Sequence, residues 1–144
     1  MSETTEKEIY QIIWLTRRLF RALAQKSGEN LEKFGISVAD RAVMEFLYPE
    51  KMLSVPEIAE LYKVSRQHVQ TTVNSLLSQG LVNTQENPRH KRSPHIMLNS
   101  EGRKLFDAVL RKDEETIEKL FSHLAMEDVQ ITRKTLQSLL DKLS

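Results

Sequence analysis

Amide and hydroxyl side chains dominate one short stretch of the sequence, Arg66 to Gly80. It contains no acidic residue and, after Arg66, no lysine or arginine. Neutral donors and acceptors suit base edges in a DNA major groove, where glutamine or asparagine bonds bidentately to adenine. A helix that only faces water more often carries charged pairs, so the stretch favours nucleic-acid recognition over a solvated helix. The candidate contacts are Ser65, Arg66, Gln67, His68, Gln70, Thr71, Thr72 and Asn74.

Two helices joined by a tight turn would present that stretch. Ser54 and Glu57 have the spacing of a capping box, with Pro56 in the first turn. Ser65 predicts the N-cap of the second helix, and Gly80 stands where a left-handed residue ends one. Helical spacing predicts which apolar residues are buried. They are Ile58, Ala59 and Leu61 in the first helix and Val69, Val73, Leu76 and Leu77 in the second.

Two short strands and a basic loop follow the second helix. Residues 81–86 and 95–99 alternate in part, and the loop 87–94 between them contains proline and asparagine, which predicts a hairpin. Its cations could lie along phosphates or enter a narrow A·T-rich minor groove. Exposed loops are often basic, so it is the combination with the preceding helix that predicts a wing. The candidate wing contacts are Arg89, His90, Lys91 and Arg92.

Positive charge is concentrated in this part of the chain. The whole protein has a net charge of +1. The segment from Leu61 to Ile96 contains five lysines and arginines but only one acidic residue, Glu86. Its net charge is therefore +4, and the rest of the chain has a net charge of −3. Charge placed where a duplex would lie predicts binding that weakens with salt.

A preceding helix and a short strand complete the predicted lobe. Ser37 and Asp40 form a second capping signal, and Tyr48-Pro49 ends that helix. Met52-Leu53 is a candidate third strand beside the wing. The residues predicted to point inward are Val43, Met44, Phe46 and Leu47.

The sequence resembles the MarR family of transcriptional regulators over nearly its full length. The resemblance lies in Ser54–Arg66, Val73–Val82, Asn87–Arg92 and Leu98–Gly102. The family pattern is typically Asp-x-Arg-x-x-Arg at the wing and Leu-Thr-x-x-Gly just beyond it.

Three residues here match that pattern and two depart from it. Arg89, Arg92 and Gly102 match, whereas Asn87 replaces the aspartate and Asn99 the threonine. Asparagine caps helices as well as threonine, so the second change is benign. Loss of the carboxylate predicts a wing that is more mobile or aimed differently.

The resemblance also implies regulation by a ligand. Such proteins are typically repressors, less often activators, that change DNA affinity on binding a small, often aromatic, acid. The pocket implied here would use Trp14, Arg17, Arg18, Phe46 and Tyr48. Alternatively, these aromatics belong to the core and the arginines are solvated or paired.

Long amphipathic segments lie at both ends of the chain. Residues 4–25, 100–123 and 125–144 each carry an apolar stripe, and Gly28-Glu29-Asn30 is expected to interrupt the first helix. The stripes predict a two-fold homodimer, although an intramolecular core would give similar spacing. The fold class is therefore mainly α with a small β-hairpin wing. We expect a single domain, 1–144, with a winged helix-turn-helix lobe at about 37–99 and dimerisation helices at about 4–30 and 100–144.

Other function classes find little support. Without cysteine there is no disulfide scaffold and no thiol redox sensor. The four histidines lack ligand-like spacing, and no nucleotide-binding glycine loop or nucleophile motif occurs, so we expect no metal, no cofactor and no enzyme activity. No signal or membrane-spanning segment is evident, which predicts a cytoplasmic protein. The rival interpretation is a winged helix that binds a protein partner and no specific DNA.

Overall fold

The structure is a computed structural model that describes residues 1–144. The chain folds into six α-helices and a three-stranded antiparallel sheet. The helices are α1 (Glu3–Leu31), α2 (Val38–Leu47), α3 (Val55–Tyr62), α4 (Arg66–Ser78), α5 (Ser100–Phe121) and α6 (Met126–Leu143). The strands are β1 (Leu53–Ser54), β2 (Val82–Gln85) and β3 (His95–Leu98). The chain divides into two units, residues 1–109 and 110–144. The predicted fold class, mainly α with a winged helix, is confirmed.

The predicted helix boundaries in the lobe depend on their caps. Ser54 and Glu57 form a capping box at the start of α3, and Ser37 and Asp40 form one at the start of α2. At the end of α4, Gly80 has φ 72°, its N–H donates to the Leu77 carbonyl and the next N–H to the Leu76 carbonyl. This is the double bond pattern that a left-handed residue after a helix permits.

The sheet holds the wing beside the helix-turn-helix. β3 is central, with β1 on one side and β2 on the other, all antiparallel. Val82 pairs with Leu98 and Thr84 with Ile96. β1 begins one residue later than the predicted third strand and pairs Leu53 with Ile96. The hairpin prediction is confirmed, and its base is tied to the start of α3.

The core of the lobe is formed by the predicted apolar stripes. Its fully buried side chains include Val43, Met44, Leu47, Ile58, Val69, Val73, Leu76 and Ile96. Two predictions of burial were wrong, because Leu61 is 56% exposed and Leu77 is 39% exposed. Leu61 lies about 60° around its helix from Ile58, on the side away from Ala59, and Leu77 lies about 80° from Val69, so both lie at the edge of their stripe. Phe46 is only half-buried.

The first helix is longer than predicted. The expected interruption at Gly28–Asn30 was wrong, because α1 continues to the buried Leu31. A single glycine costs a helix only about 1 kcal/mol. A Cβ atom at Gly28 would meet nothing closer than Val38 Cγ2 at 3.9 Å, so α1 packs here near the start of α2. The helical segment ends at Gly35, which follows the 3-10 turn Glu32–Phe34 and has a φ of 73°.

The start of α5 is fixed closely against the end of α4. Asn99 caps α5 by accepting the Gly102 N–H at 2.9 Å, and its Nδ2 donates to the Gly80 carbonyl at 2.8 Å. Gly102 faces the Leu81 carbonyl, where an added Cβ would lie 2.0 Å from the oxygen. Only glycine fits this approach, which explains why Gly102 matches the family pattern beyond the wing.

Apolar residues of α1 and of residues 110–144 remain largely exposed in the single chain. On α1, Phe20 is 61% exposed. The charged segment 111–115 does not end α5, which continues to Phe121. The large exposed apolar side chains are Tyr10, Ile13, Trp14, Leu15, Leu19, Phe20 and Leu23 on α1, and Ile117, Leu120, Phe121, Leu124, Met126, Val129, Ile131, Leu136, Leu140 and Leu143 in the second unit. None of the helices combines the length and the apolar character that crossing a membrane requires.

Candidate nucleic-acid interface

The turn between α3 and α4 sets which face of α4 is exposed. Lys63 takes a left-handed conformation, φ 60°, and Ser65 then caps α4 by accepting the His68 N–H at 3.0 Å. The opposite side of α4 is fixed in the core by Val69 and Val73. The predicted contacts that lie exposed are Ser65, Arg66, Gln67, His68, Gln70, Thr71 and Asn74.

Thr72 is the exception among the predicted contacts of α4. It is 5% exposed, and its hydroxyl donates to the His68 carbonyl at 3.0 Å. Its position three residues after Val69 places it on the buried side. The expected exposure of Thr72 was therefore wrong, and its side chain is not part of the exposed surface of α4.

Two polar side chains on the exposed face of α4 are bonded to each other. Gln70 Nε2 donates to Asn74 Oδ1 at 2.9 Å, one helical turn away. The Thr71 hydroxyl instead donates to the Gln67 carbonyl at 3.0 Å. Gln67 keeps its full amide for an external partner, whereas the Gln70 amide is held in one orientation.

An asparagine closes the tip of the wing. Asn87 is 5% exposed, its Nδ2 donates to the Ser93 carbonyl at 3.0 Å, and its Oδ1 accepts the Arg89 N–H at 3.1 Å. The His90 N–H also donates to the Asn87 carbonyl at 3.1 Å. An aspartate could accept the Arg89 N–H but could not donate to Ser93. The amide thus links the two arms of the loop. This role was not predicted from the sequence, although asparagine before a turn signals such local bonds.

The wing cations form no ion pair, although Arg89 lies near enough to Glu57 to help lower the pKa of that carboxyl. No acidic group lies within ion-pair distance of Arg89, Lys91 or Arg92, and all three are exposed, as is His90. They are therefore open to an external anion such as a phosphate.

One carboxylate lies at the base of the wing. Glu57 Oε1 accepts from both the N–H and the hydroxyl of Ser54, and His95 Nε2 lies 3.9 Å from it. The hydrogen bond from the Ser54 backbone, followed by that from its hydroxyl, lowers the pKa of Glu57 below its ordinary value. The charged form of Glu57 is thereby favoured, and it joins α3, β1 and β3.

Two grooves bring the helix and the wing together. One, of about 450 Å³, is lined by Arg66, Gln67 and Gln70 from α4 and by Arg92 from the wing. The other, of about 550 Å³, is lined by Arg66 together with Arg89 and His90. Arg66 lines both and so connects them. Other predicted contacts are exposed but line neither groove: Ser65, His68, Thr71, Asn74 and Lys91.

The predicted effector residues on α1 lie on one exposed surface. Trp14, Arg17 and Arg18 are all exposed. Arg17 and Arg18 follow Trp14 by three and four residues, which places them one turn along the same face.

The two predicted effector residues of the lobe have partners of their own. The ring of Phe46 lies 5.6 Å from that of Tyr62, centroid to centroid, and Tyr48 lies 5.0 Å from Phe106. The Tyr48 hydroxyl donates to the Asp107 carboxylate, and this bond raises the pKa of Tyr48. No hydrogen bond, ion pair or ring contact joins them to Trp14, Arg17 or Arg18.

The comparisons with known proteins agree with this architecture. A sequence model described as MarR family matches residues 34–93. The uncharacterized protein Rv2011c of Mycobacterium tuberculosis is 27% identical over 135 residues, which is 92% of this chain and 87% of that protein.

Solved structures share the fold over nearly the whole chain. The transcriptional regulator BldR from Sulfolobus solfataricus is 19% identical with a TM-score of 0.84, covering 99% of both chains. MepR of S. aureus, in a structure of its complex with DNA, is 23% identical with a TM-score of 0.75, covering 90% of this chain and 96% of MepR.

Proposed function

This chain has the fold and the winged-helix sequence of the MarR family of transcriptional regulators, and from that premise we propose that it is a sequence-specific DNA-binding regulator. Its partner is double-stranded DNA, and it acts as a homodimer. The observation that carries the proposal is the shared surface of α4 and the wing. Arg66 lines both grooves there, with neutral amides on one side and unpaired wing cations on the other.

The two parts of this surface have separate tasks. The cations Arg89, Lys91 and Arg92 bind phosphates, which position the protein without reading sequence. The amides and hydroxyls on α4 bind base edges in the major groove. The related protein MepR, crystallised with DNA, supports this division only at the level of the shared fold.

A second copy of the chain would cover the apolar side chains of α1 and of residues 110–144. Large exposed apolar patches on a chain mark interaction surfaces. Dimeric helix-turn-helix proteins place their half-sites about 34 Å apart, so the operator is an inverted repeat. A single monomeric species in sedimentation at micromolar concentration would contradict the dimer.

Mobility-shift titrations on the DNA upstream of the protein's own gene test the function. Arg89→Ala should weaken binding to every sequence and reduce the slope of log affinity against log salt by about 1. Gln67→Ala should instead relax sequence preference. Lys134→Ala is the control, because it removes the same charge from α6. It should change neither the DNA affinity and its salt dependence nor the sequence preference.

If Arg89→Ala and Gln67→Ala both bind DNA like the wild type, the assignment of these residues to the DNA-binding site is wrong. If the wild type shows no specific DNA binding at low salt, the rival interpretation of a protein-interaction module replaces the regulator. The near-neutral total charge of +1 is the observation on which that rival stands.

The regulator is a repressor that a small aromatic acid modulates, as the family resemblance implies. Trp14, Arg17 and Arg18 share a face of α1 that would suit the ring and the carboxylate of such a ligand. A ligand regulates only if it prefers the state that cannot fit the operator. Aromatic acids should therefore raise the melting temperature and release the operator, and less so in Arg17→Ala. Uniformly negative screens would contradict this part.

A further inference from the structure

The hydrogen bond between Gln70 and Asn74 fixes what α4 can read. We infer that Gln70 reads an adenine in each half-site and that Asn74 is its positioning residue. This inference rests on the proposed function, since it concerns how that same surface selects its DNA.

The bond leaves Gln70 with the groups that adenine requires. A glutamine amide has two N–H donors and one carbonyl acceptor. One N–H is donated to Asn74 Oδ1 at 2.9 Å, so one N–H and the Oε1 remain. Adenine offers N7 as an acceptor and N6–H as a donor at its major-groove edge. The free N–H and Oε1 of Gln70 match these two groups.

Asn74 removes the freedom that would otherwise make Gln70 ambiguous. A long exposed amide samples many rotamers, and ordering it on binding has an entropic cost. With Nε2 bonded to Asn74, the carbonyl and amino ends of Gln70 have a defined order along the groove. Gln70 also lines the groove shared with the wing, which places it on the side of α4 that faces a duplex.

The rest of the exposed face of α4 is unsuited to guanine. Arginine and lysine are the commonest guanine readers, and α4 has only Arg66, which lines both grooves beside the wing cations. The Thr71 hydroxyl has donated its hydrogen to the Gln67 carbonyl, which leaves its methyl group as the part that suits a thymine methyl. The face therefore favours A·T pairs.

Selection of bound duplexes from a randomised pool, read by sequencing, tests this directly. The wild type should enrich an inverted repeat whose half-site contains an adenine that Gln70→Ala no longer prefers. Discrimination at that one position should fall about ten- to hundredfold, with the other positions kept. Gln130→Ala, which removes an exposed amide from α6, should leave the site unchanged.

Variants of Asn74 separate positioning from a direct contact. Asn74→Ala should relax the same position as Gln70→Ala, and the double variant should relax it no further. Asn74→Asp keeps an acceptor for Gln70, so it should restore the adenine preference while its negative charge lowers affinity for all sequences. Gln70→Glu should exchange adenine for cytosine, since a carboxylate accepts from the cytosine amino group.

The outcomes distinguish the inference from its premise. If the wild type enriches no sequence, the proposed function itself fails. If it enriches a repeat but Gln70→Ala changes no adenine, or Asn74→Ala relaxes a different position, the regulator stands and this inference is overturned.

Discussion

The winged lobe and the end helices carry the same kind of apolar pattern with opposite results. In the lobe, side chains such as Val69, Val73 and Ile96 are covered within the chain. In α1 and in residues 110–144, side chains such as Phe20 and Leu136 at equally regular spacing stay exposed. Periodicity therefore indicates which face of a helix is apolar, but not whether the covering layer belongs to the same chain.

Side-chain capping distinguishes the lobe from the last helix. The lobe satisfies its own backbone through the capping residues Ser54, Ser65 and Asn99, and none of its buried side-chain polar atoms lacks a partner. The last helix, α6, begins at Ala125 with no side-chain cap. Substitutions in the lobe, whose apolar side chains are buried within the chain, should therefore change its stability. Substitutions in the exposed apolar faces of the end helices should instead change the oligomeric state.

Leu136→Asp should give the largest effect and should act on assembly alone. Leu136 lines an apolar groove on α6 with Val129 and Leu140, and a charge there cannot be buried against a second copy. We expect sedimentation to show a monomer. Operator affinity should fall about 100- to 10,000-fold because the two half-sites no longer bind together.

Ile131→Asp is the matched control for that change. Ile131 is an exposed apolar residue of the same helix and does not line the groove. It should remain dimeric, and neither variant should alter the unfolding of the lobe. A monomer from both, or from neither, would remove the distinction between the groove and the rest of α6.

Two glycines give effects of opposite sign on stability. Gly102→Ala should destabilise the protein by about 2–3 kcal/mol, because its Cβ would lie 2.0 Å from the Leu81 carbonyl oxygen. Gly28→Ala should stabilise it by about 0.5–1 kcal/mol, since alanine favours the helical backbone in the last turn of α1 and its Cβ would make an ordinary contact with Val38 Cγ2 at 3.9 Å. Urea unfolding of both variants measures the difference. Equal stabilities would mean that α5 does not need its close approach to the lobe.

Much of the lobe could be predicted because its signals are local. The capping boxes at Ser54 and Ser37, the helix end at Gly80 and the hairpin of residues 81–99 each depend on residues close in sequence or on partial alternation, and all were confirmed. The resemblance to the MarR family was confirmed as well. The DNA contacts assigned to α4 and the wing remain predictions, although all but Thr72 are exposed and half of them line the two grooves.

The errors concern information that the local pattern does not contain. Leu61, Leu77 and Thr72 lie near stripe edges, where burial depends on which neighbour packs there. Gly28 was expected to interrupt α1, but a single glycine costs a helix only about 1 kcal/mol, and α1 continues to Leu31. The role of Asn87 depends on a carbonyl six residues away at Ser93, a contact that exists only once the loop has closed.

Asn87→Asp restores the residue usual in the family and should nevertheless weaken this wing. The donor to the Ser93 carbonyl is lost and a carboxylate faces that oxygen, at a cost of about 1–2 kcal/mol. Hydrogen exchange of the Arg89, His90 and Ser93 amides should quicken, and DNA affinity should fall several-fold for all sequences. Gln85→Glu adds the same charge on β2 without touching the tip, so it should not quicken exchange there. Unchanged protection in Asn87→Asp would show that the amide does not hold the tip.

The smallest expected effect is that of Glu57→Gln, which probes the charge that joins α3 to the wing base. A carboxylate whose pKa is lowered in the folded state adds stability above its unfolded pKa of about 4.5, and that stability is lost as pH falls through the folded value. Glutamine can still accept from the Ser54 N–H, so only the charge is removed. Because Glu57 is half exposed, the variant should lose less than about 1 kcal/mol at pH 7, and the difference from wild type should shrink below pH 4.5. Urea unfolding at pH 7 and pH 3.5 measures the difference. The control is Glu118→Gln, which removes an exposed charge of α5 that takes part in no cap and no ion pair. If Glu57→Gln is destabilised as much at pH 3.5 as at pH 7, the charge of Glu57 does not stabilise the contact between α3 and the wing base, and the geometry of the cap is responsible.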